Sequence, residues 1–458
     1  MDANLHDLKA ENERLRARVA ELERIVERLT AALDDSRRSG KRQAAPFRKP
    51  GGPKPQPKKP GRKTGDEHGP HAHRAALSPD AIDEIHESPL PCACPDCGGR
   101  RFDDERVVVQ YQTEIPRRPI QRQFNIHIAR CRGCGGAVQG RHELQTSDAV
   151  GAAASQLGAE THAALALLNK QCGLSHGKCR DVMEQLFGIE ISRATSARSI
   201  ARTSNRCGAA HEQLRRDIRA APFVVPDETG WRVGGFGAWL HAFATERTTC
   251  YVVDPTRSHA PAERLLGIDW PGMMTHDGWA VYDRFRDATH QQCTAHLLRR
   301  CQEMLEIATG MVARFPRQVK TLLQQGLRLR DQSLAGERTA HGLLVMAGRL
   351  REQMRTLVRP LKTHVANERF AKFLETHLDE LFTYLRHPGV DATNWRGEQA
   401  IRPAVVNRKV WGGNRTWIGA ATQSIVSSVL RTLNQRSHAA IDWLAKALRN
   451  PTPILIPP

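Results

Sequence analysis

The chain has 458 residues, 40 % of them apolar, with 68 Lys and Arg against 49 Asp and Glu. That length accommodates roughly two to four domains with real cores and excludes a small stapled scaffold, and a net charge of +19 points to a polyanionic partner, most often nucleic acid. No stretch approaches the roughly 18 uninterrupted apolar residues of a membrane span, and charge from Asp2 onward leaves no signal-peptide core, so a cytoplasmic protein is expected, its eleven cysteines held as thiols or metal ligands.

The first element, residues 1–36, is a heptad helix. Leu5, Asn12, Val19, Val26 and Leu33 form one seven-residue series and Leu8, Leu15, Leu22 and Leu29 the other. Valine at a with leucine at d predicts a parallel two-stranded coiled coil, with Asn12 as register device and Glu11–Arg16 and Arg18–Glu23 as complementary flanking charges. A homo-oligomer is therefore expected. Residues 37–90 follow as a linker; between Arg37 and Lys63 it carries eleven Lys or Arg, no acid and six prolines, a composition that cannot bury enough surface to fold.

Residues 91–147 hold two Cys-x-x-Cys pairs, Cys94/Cys97 and Cys131/Cys134, each followed by Gly-Gly. Four thiolates suit a tetrahedral structural Zn²⁺, and the glycines let the backbone turn its amides toward the sulfurs. The alternating runs 107–111 and 124–128 predict a hairpin presenting the two knuckles, with Cys92 as a spare thiol. A redox pair is the weaker alternative, since no βαβ pattern surrounds the motifs.

Residues 148–220 read as helical. Ser175 to Phe187, a turn at Gly188, and Ser192 capping a further helix that brings in Arg193 and Arg198 have the shape of a helix-turn-helix aimed at DNA. From Phe223 the pattern becomes strand-like. Phe223 to Pro226 reads as a strand ending at Asp227, with two more strands at 238–244 and 249–253, a short helix at 260–266, and a fourth strand at 273–276 delivering Asp277. Alternation along an extended strand turns Glu228 away from Asp227, which marks it as a bystander. Residues 296–392 read as a helical insertion, with Phe370, Phe373, Leu374, His377, Leu378, Leu381, Phe382 and Leu385 on one apolar face. Residues 402 to 450 carry eight Lys or Arg against Asp442 alone, a charge suited to a phosphate backbone.

The β-β-β-α-β order with an Asp at the ends of strands one and four is similar to the ribonuclease-H-like core of DDE transposases and integrases. More narrowly, "DETGW", "HDGWAVYDRF", "CTAHLLRR", "GEQAIRP", "NRKVWGG", the twin Cys-x-x-Cys and "KPGGPKPQPKKPGRKTG" together resemble the insertion-sequence transposases of the IS66 family, in that family's order over nearly the whole chain. The resemblance implies an α/β ribonuclease-H-like core in two parts, 221–295 and 393–458, split by the helical insertion. It implies Asp227, Asp277 and Glu398 as ligands of two Mg²⁺ ions, and metal-dependent cleavage and strand transfer at terminal inverted repeats, with accessory transposition proteins as possible partners. It supports His296, with Arg299 and Arg300, at the DNA or the active-site rim, and Arg402, Arg408 and Lys409 toward DNA. Where the family has Asn-Asn and Glu-Arg pairs, this chain has Trp395 after Asn394 and Gln399 after Glu398, so one basic neighbour is lost. The rival expectation is a zinc-containing DNA-binding regulator whose nuclease-like core is inert.

Overall fold

The computed structural model describes residues 77–87, 89–101, 107, 109–113, 119–150 and 156–458, with Glu11, Leu15, Arg18, Val19, Glu21 and Leu22 nearer the N-terminus. The chain divides into two compact units, Met1–Glu114 and Ile115–Pro458. In the first, the six N-terminal positions are helical and exposed, with Leu15, Val19 and Leu22 open to solvent. The remaining heptad positions and the basic linker up to residue 76 lie outside the described residues.

The second unit opens with a hairpin, β1 (Ile128–Arg130) and β2 (Ala137–Gln139), paired antiparallel. This corrects the expected hairpin. Residues 128–130 pair with 137–139 across the second knuckle, whereas 107 and 109–113 form no strand.

Helices α1 (Ala159–Ala166), α2 (His176–Phe187), α3 (Arg193–Arg206) and α4 (Gly208–Ala220) follow, a π-turn at Leu167–Gln171 extending the first of them. The predicted turn is present: Gly188 takes a left-handed conformation (φ 63°) that closes α2, and Ser192 Oγ accepts from the Thr195 amide at 3.0 Å to cap α3.

A five-stranded sheet comes next: β3 (Phe223–Val233), β4 (Phe236–Ala244), β5 (Thr249–Asp254), β6 (Met273–His276) and β7 (Thr289–Gln292), in the order β5-β4-β3-β6-β7. The first three strands are antiparallel neighbours, while β6 and β7 run parallel to β3. Helix α5 (Ala260–Leu266) makes the crossover. Strand β7 was not legible beforehand, since Thr-His-Gln-Gln has no apolar pattern; Gln291 and Gln292 are nevertheless fully buried, their amides bonded to the insertion at Leu381 C=O and Glu380.

The insertion comprises α6 (Thr294–Ile307), α7 (Arg314–Leu334), α8 (Ala340–Val358), α9 (Val365–Thr376) and α10 (Thr383–Arg386), around its own core of Leu323, Leu350, Phe370 and Leu381. Its two ends are stitched together. Thr294 N donates to Ala392 C=O at 2.9 Å, and Cys293 Sγ to Asn394 Oδ1 at 3.1 Å. The chain therefore leaves and re-enters the core at one point, where α11 (Trp395–Trp411) begins; α12 (Trp417–Gln435) and α13 (Ala440–Arg449) complete the fold.

Both sheet faces are covered. Val224, Phe243 and Met274 pack with α4 and α5, and Leu240, Ala242 and Trp231 with α11 and α12. Helices α12 and α13 also share one apolar core with α1 to α4, through Leu165, Ile200, Leu433 and Leu444. Among the described residues no helix is long and apolar enough to cross a membrane.

Candidate active site

Strand β3 does not end at Asp227, as the sequence suggested; it continues to Val233, pairing Asp227 with Ala242 and Glu228 with His241 on β4. What ends there is its other ladder. Met273 N donates to Pro222 C=O at 2.8 Å, so residues 222, 224 and 226 face β6, and Pro226 has no N–H to continue; the pairing stops at Val224↔Met274. Beyond that point β3 is open on the β6 side. Continued past its last pair, the register sets 227 opposite 277, so the loop after β6 carries Asp277 level with Asp227.

Alternation places Asp227 on the face toward α11. There the helix approaches β3 through Gly397, where an added Cβ would meet the Asp227 Cβ at 2.8 Å and the Pro226 carbonyl at 3.3 Å. A side chain at 397 would hold the helix off; glycine lets the first turn of α11 bring Glu398 to the strand. Burial, then Glu228, pushes the Asp227 carboxyl up to about 8, with Asp277 and Glu398 adding to the rise, so the three acids share one field. Asp277 Oδ1 accepts from the Trp279 amide at 3.0 Å, and Asp227 Oδ1 from the Glu228 amide at 2.9 Å, fixing each carboxylate against its own backbone.

The donors are all carboxylate oxygens, the chemistry of a hard divalent cation; Asp227 and Glu398 are half-buried and Asp277 exposed, and the repulsion that Asp277 and Glu398 exert on Asp227 is what such an ion would relieve. They do not form a closed ligand set: among the described residues no three His, Cys, Asp or Glu side chains converge on one point.

Glu228 faces the opposite side, as alternation requires, but it is no solvated bystander. Its side chain is 3 % exposed and takes the Arg257 guanidinium at 2.8 and 3.0 Å and the Tyr282 hydroxyl at 3.1 Å. Burial raises its carboxyl, opposed by Arg257 and reinforced by Asp277. Arg257 in turn lies between the rings of Trp239 (4.8 Å) and Trp279 (4.2 Å), so the pair ties the loop after Asp277 to β4. Beneath the same loop, Gly278 N donates to His276 Nδ1 at 3.3 Å. That leaves His276 Nε2 to donate to His290 Nδ1 (3.0 Å) and His290 Nε2 to the Phe285 carbonyl (2.8 Å). Complete burial lowers His276 to about 3, so it serves as a neutral link. Arg257, Tyr282 and His290 were missed from sequence, since their partners lie 14 to 54 residues away.

His296, on the first turn of α6, lies within the field of Asp277 and Glu398, which oppose the lowering that burial and Arg299 impose on it; its Nδ1 is buried without a partner. Arg299 is exposed. Arg300 instead packs its guanidinium over Phe370 and Phe373 at 4.5 and 5.4 Å. Arg408 is bonded to the Gly230 carbonyl, and Arg402 and Lys409 are exposed on α11. Arg193 and Arg198 are exposed on α3 and, with Arg180 and Arg202, line a groove of about 960 Å³.

The two knuckles are built alike, although they fall in different units. Cys94 N donates to Gly99 C=O and Gly98 N to Cys94 C=O, both at 2.8 Å, and Cys131, Gly135 and Gly136 repeat the pattern at the same distances. Gly98 and Gly135 take φ of 73° and 71°, which a side chain would resist. Amide hydrogen bonds lower the Cys94 and Cys131 thiols, with those from Cys97 and Cys134 largest. This is thiolate chemistry of the kind zinc takes.

A mixed five-stranded sheet with helices on both faces fits a nuclease-like core. A family model described as "Transposase IS66 family" matches residues 154–422, more than half of the chain. The chain belongs to this transposase family. No curated protein matches it.

Proposed function

We propose that the chain cleaves and joins DNA strands at the terminal inverted repeats of an insertion sequence, with Asp227, Asp277 and Glu398 holding the divalent metal. The observation that supports this reading is the contact at Gly397, which brings the first turn of α11, and with it the residue before Glu398, against Asp227, while the register continued past β6 sets 277 opposite 227. Mg²⁺ held by these acids would supply Lewis acidity to a phosphoryl transfer. The chain's own residues do the positioning. Glu228 and Arg257 hold the Trp279 loop, the His276–His290 link holds Gly278, and the Cys293–Asn394 stitch aligns α6 with α11. His296, on the first turn of α6 and within the field of Asp277 and Glu398, would contact the reacting strand.

Arg193 and Arg198 on α3 would meet DNA phosphates, as would Arg299, Arg402 and Lys409, all exposed. Arg300 and Arg408 support the site by packing. The two knuckles would give their thiolates to Zn²⁺, and the N-terminal heptads, with Leu15, Val19 and Leu22 open to solvent, would pair protomers.

The test is a cleavage and joining assay on duplexes carrying the element's ends. Asp227→Asn, Asp277→Asn and Glu398→Gln should each abolish Mg²⁺-dependent cleavage and joining while end binding persists. Cleavage at the wild-type rate in any of the three would remove that residue from the site.

A further inference from the structure

Between the sheet and the helices α11 and α12 lies a cavity of about 60 Å³, bounded on its remaining side by the turn Leu167–Gln171. One water needs roughly 10–15 Å³ of such space, so this cavity has room for a small polyatomic ion. Its polar lining is unbalanced. Lys170, 7 % exposed, borders the cavity from the turn, and among the described residues no carboxylate pairs with it; its ammonium lies 5.3 Å from the Trp411 ring. Arg431 of α12 lines the same space, with its Nε buried and without a hydrogen-bond partner, and the Trp411 Nε1 nearby is buried and unpartnered as well.

Of the neutral neighbours, Gln423 gives its Nε2 to Ser427 Oγ at 2.7 Å and leaves its Oε1 buried without a partner. Asn407 donates to the Lys170 carbonyl at 3.0 Å and Tyr251 to the Ala400 carbonyl at 2.6 Å. No Asp or Glu lines the cavity. Lys170 therefore has no carboxylate partner, and the Arg431 Nε and the Trp411 Nε1 are buried donors without a hydrogen-bond partner. Burial lowers the Lys170 ammonium to about 8, the strain that an adjacent anion relieves.

We propose that this cavity binds a tetrahedral oxyanion, a phosphate group held between the Lys170 ammonium and the Arg431 guanidinium. Lys170 belongs to the turn that follows α1, and Arg431 to a helix covering the sheet, so the anion would cross-link the helical half to the catalytic sheet. The group is either a phosphate of the DNA backbone or the free ion, and binding of the free ion stands independently of the catalytic reading.

The full-length protein is titrated with inorganic phosphate at constant ionic strength, followed by melting and calorimetry. Wild type should show saturable binding. Lys170→Met should weaken it roughly ten- to hundredfold, the loss of one charge-assisted hydrogen bond, while melting no lower than wild type without phosphate, because methionine removes an unpaired buried charge. Lys170→Arg should retain binding, and Arg431→Met should weaken it. Short duplex DNA that displaces phosphate, and itself binds Lys170→Met more weakly, identifies the backbone as the source; a duplex that leaves phosphate binding intact assigns the cavity to the free ion. Absence of saturable binding in wild type, or unchanged binding in both Lys170→Met and Arg431→Met, overturns the site.

Discussion

Asp227→Asn separates the electrostatics of the site from its catalysis. The Asp227 carboxyl lies at about 8 against an ordinary 3.8, so the folded state holds its proton more tightly than the unfolded chain does. For a carboxyl displaced upward, stability is greatest below the unfolded value and is lost as pH rises from about 3.8 toward 8, above which the loss is constant. At 1.36 kcal/mol per unit, the penalty is about 2 kcal/mol at pH 5 and about 5 kcal/mol at pH 8. Asparagine keeps the shape and removes the charge. In EDTA, the variant should therefore melt higher than wild type, by a margin that widens from pH 5 to pH 8. Added Mg²⁺ should raise the wild-type midpoint and leave the variant's nearly unmoved, since the wild-type gain comes from neutralising these acids. Thermal melts at the two pH values, with and without Mg²⁺, read all of this. A variant no more stable than wild type at pH 8, or one whose advantage is equal at both pH values, would refute the argument that Asp227 sits buried among like charges.

Three further outcomes follow from the same geometry. Gly397→Ala should push α11 away from β3, costing about 1–3 kcal/mol in melting and lowering cleavage at least roughly tenfold with end binding intact; wild-type activity would show that the 2.8 Å approach does not set the position of Glu398. Glu228→Gln should act in the opposite direction to Asp227→Asn, destabilising the protein by about 1–2 kcal/mol because Arg257 loses its only ion-pair partner among the described residues; a Glu228→Gln/Arg257→Gln double-mutant cycle with no coupling would contradict the pairing. Purified protein should contain zinc by elemental analysis, and Cys131→Ser with Cys134→Ser should lower it; wild-type protein without zinc while its thiols are reduced would dismiss the knuckles as a metal site.

The contrast between Asp227 and Glu228 explains what a sequence of this kind discloses. The alternation that sends them to opposite faces is a local property of an extended chain, and it was readable, as were the β-β-β-α-β order, the glycine and Ser192 of the helix-turn-helix, and the Asp that follows β6. Local reading failed where a partner comes from far along the chain. Glu228 looked idle because Arg257 and Tyr282 stand 29 and 54 residues on, and β7 carries no strand pattern because its buried glutamines are satisfied by residues about 90 positions later. Asp227 looked like a strand end for a related reason: Pro226 does end a ladder, but the one to β6, and a single sequence does not say which of two neighbours a strand loses. Most telling is Gly397, a residue with no chemistry of its own. Its neighbour Glu398 could be matched to a motif, but what lets α11 approach Asp227 is the missing Cβ at Gly397, and that requirement exists only once helix and strand are packed together. If acids separated by 50 and 121 positions act as one site, it is backbone features that let them, a proline that ends one ladder of β3 and a glycine that admits the helix, so substitutions at Pro226 and Gly397 test that site as directly as substitutions of the carboxylates do.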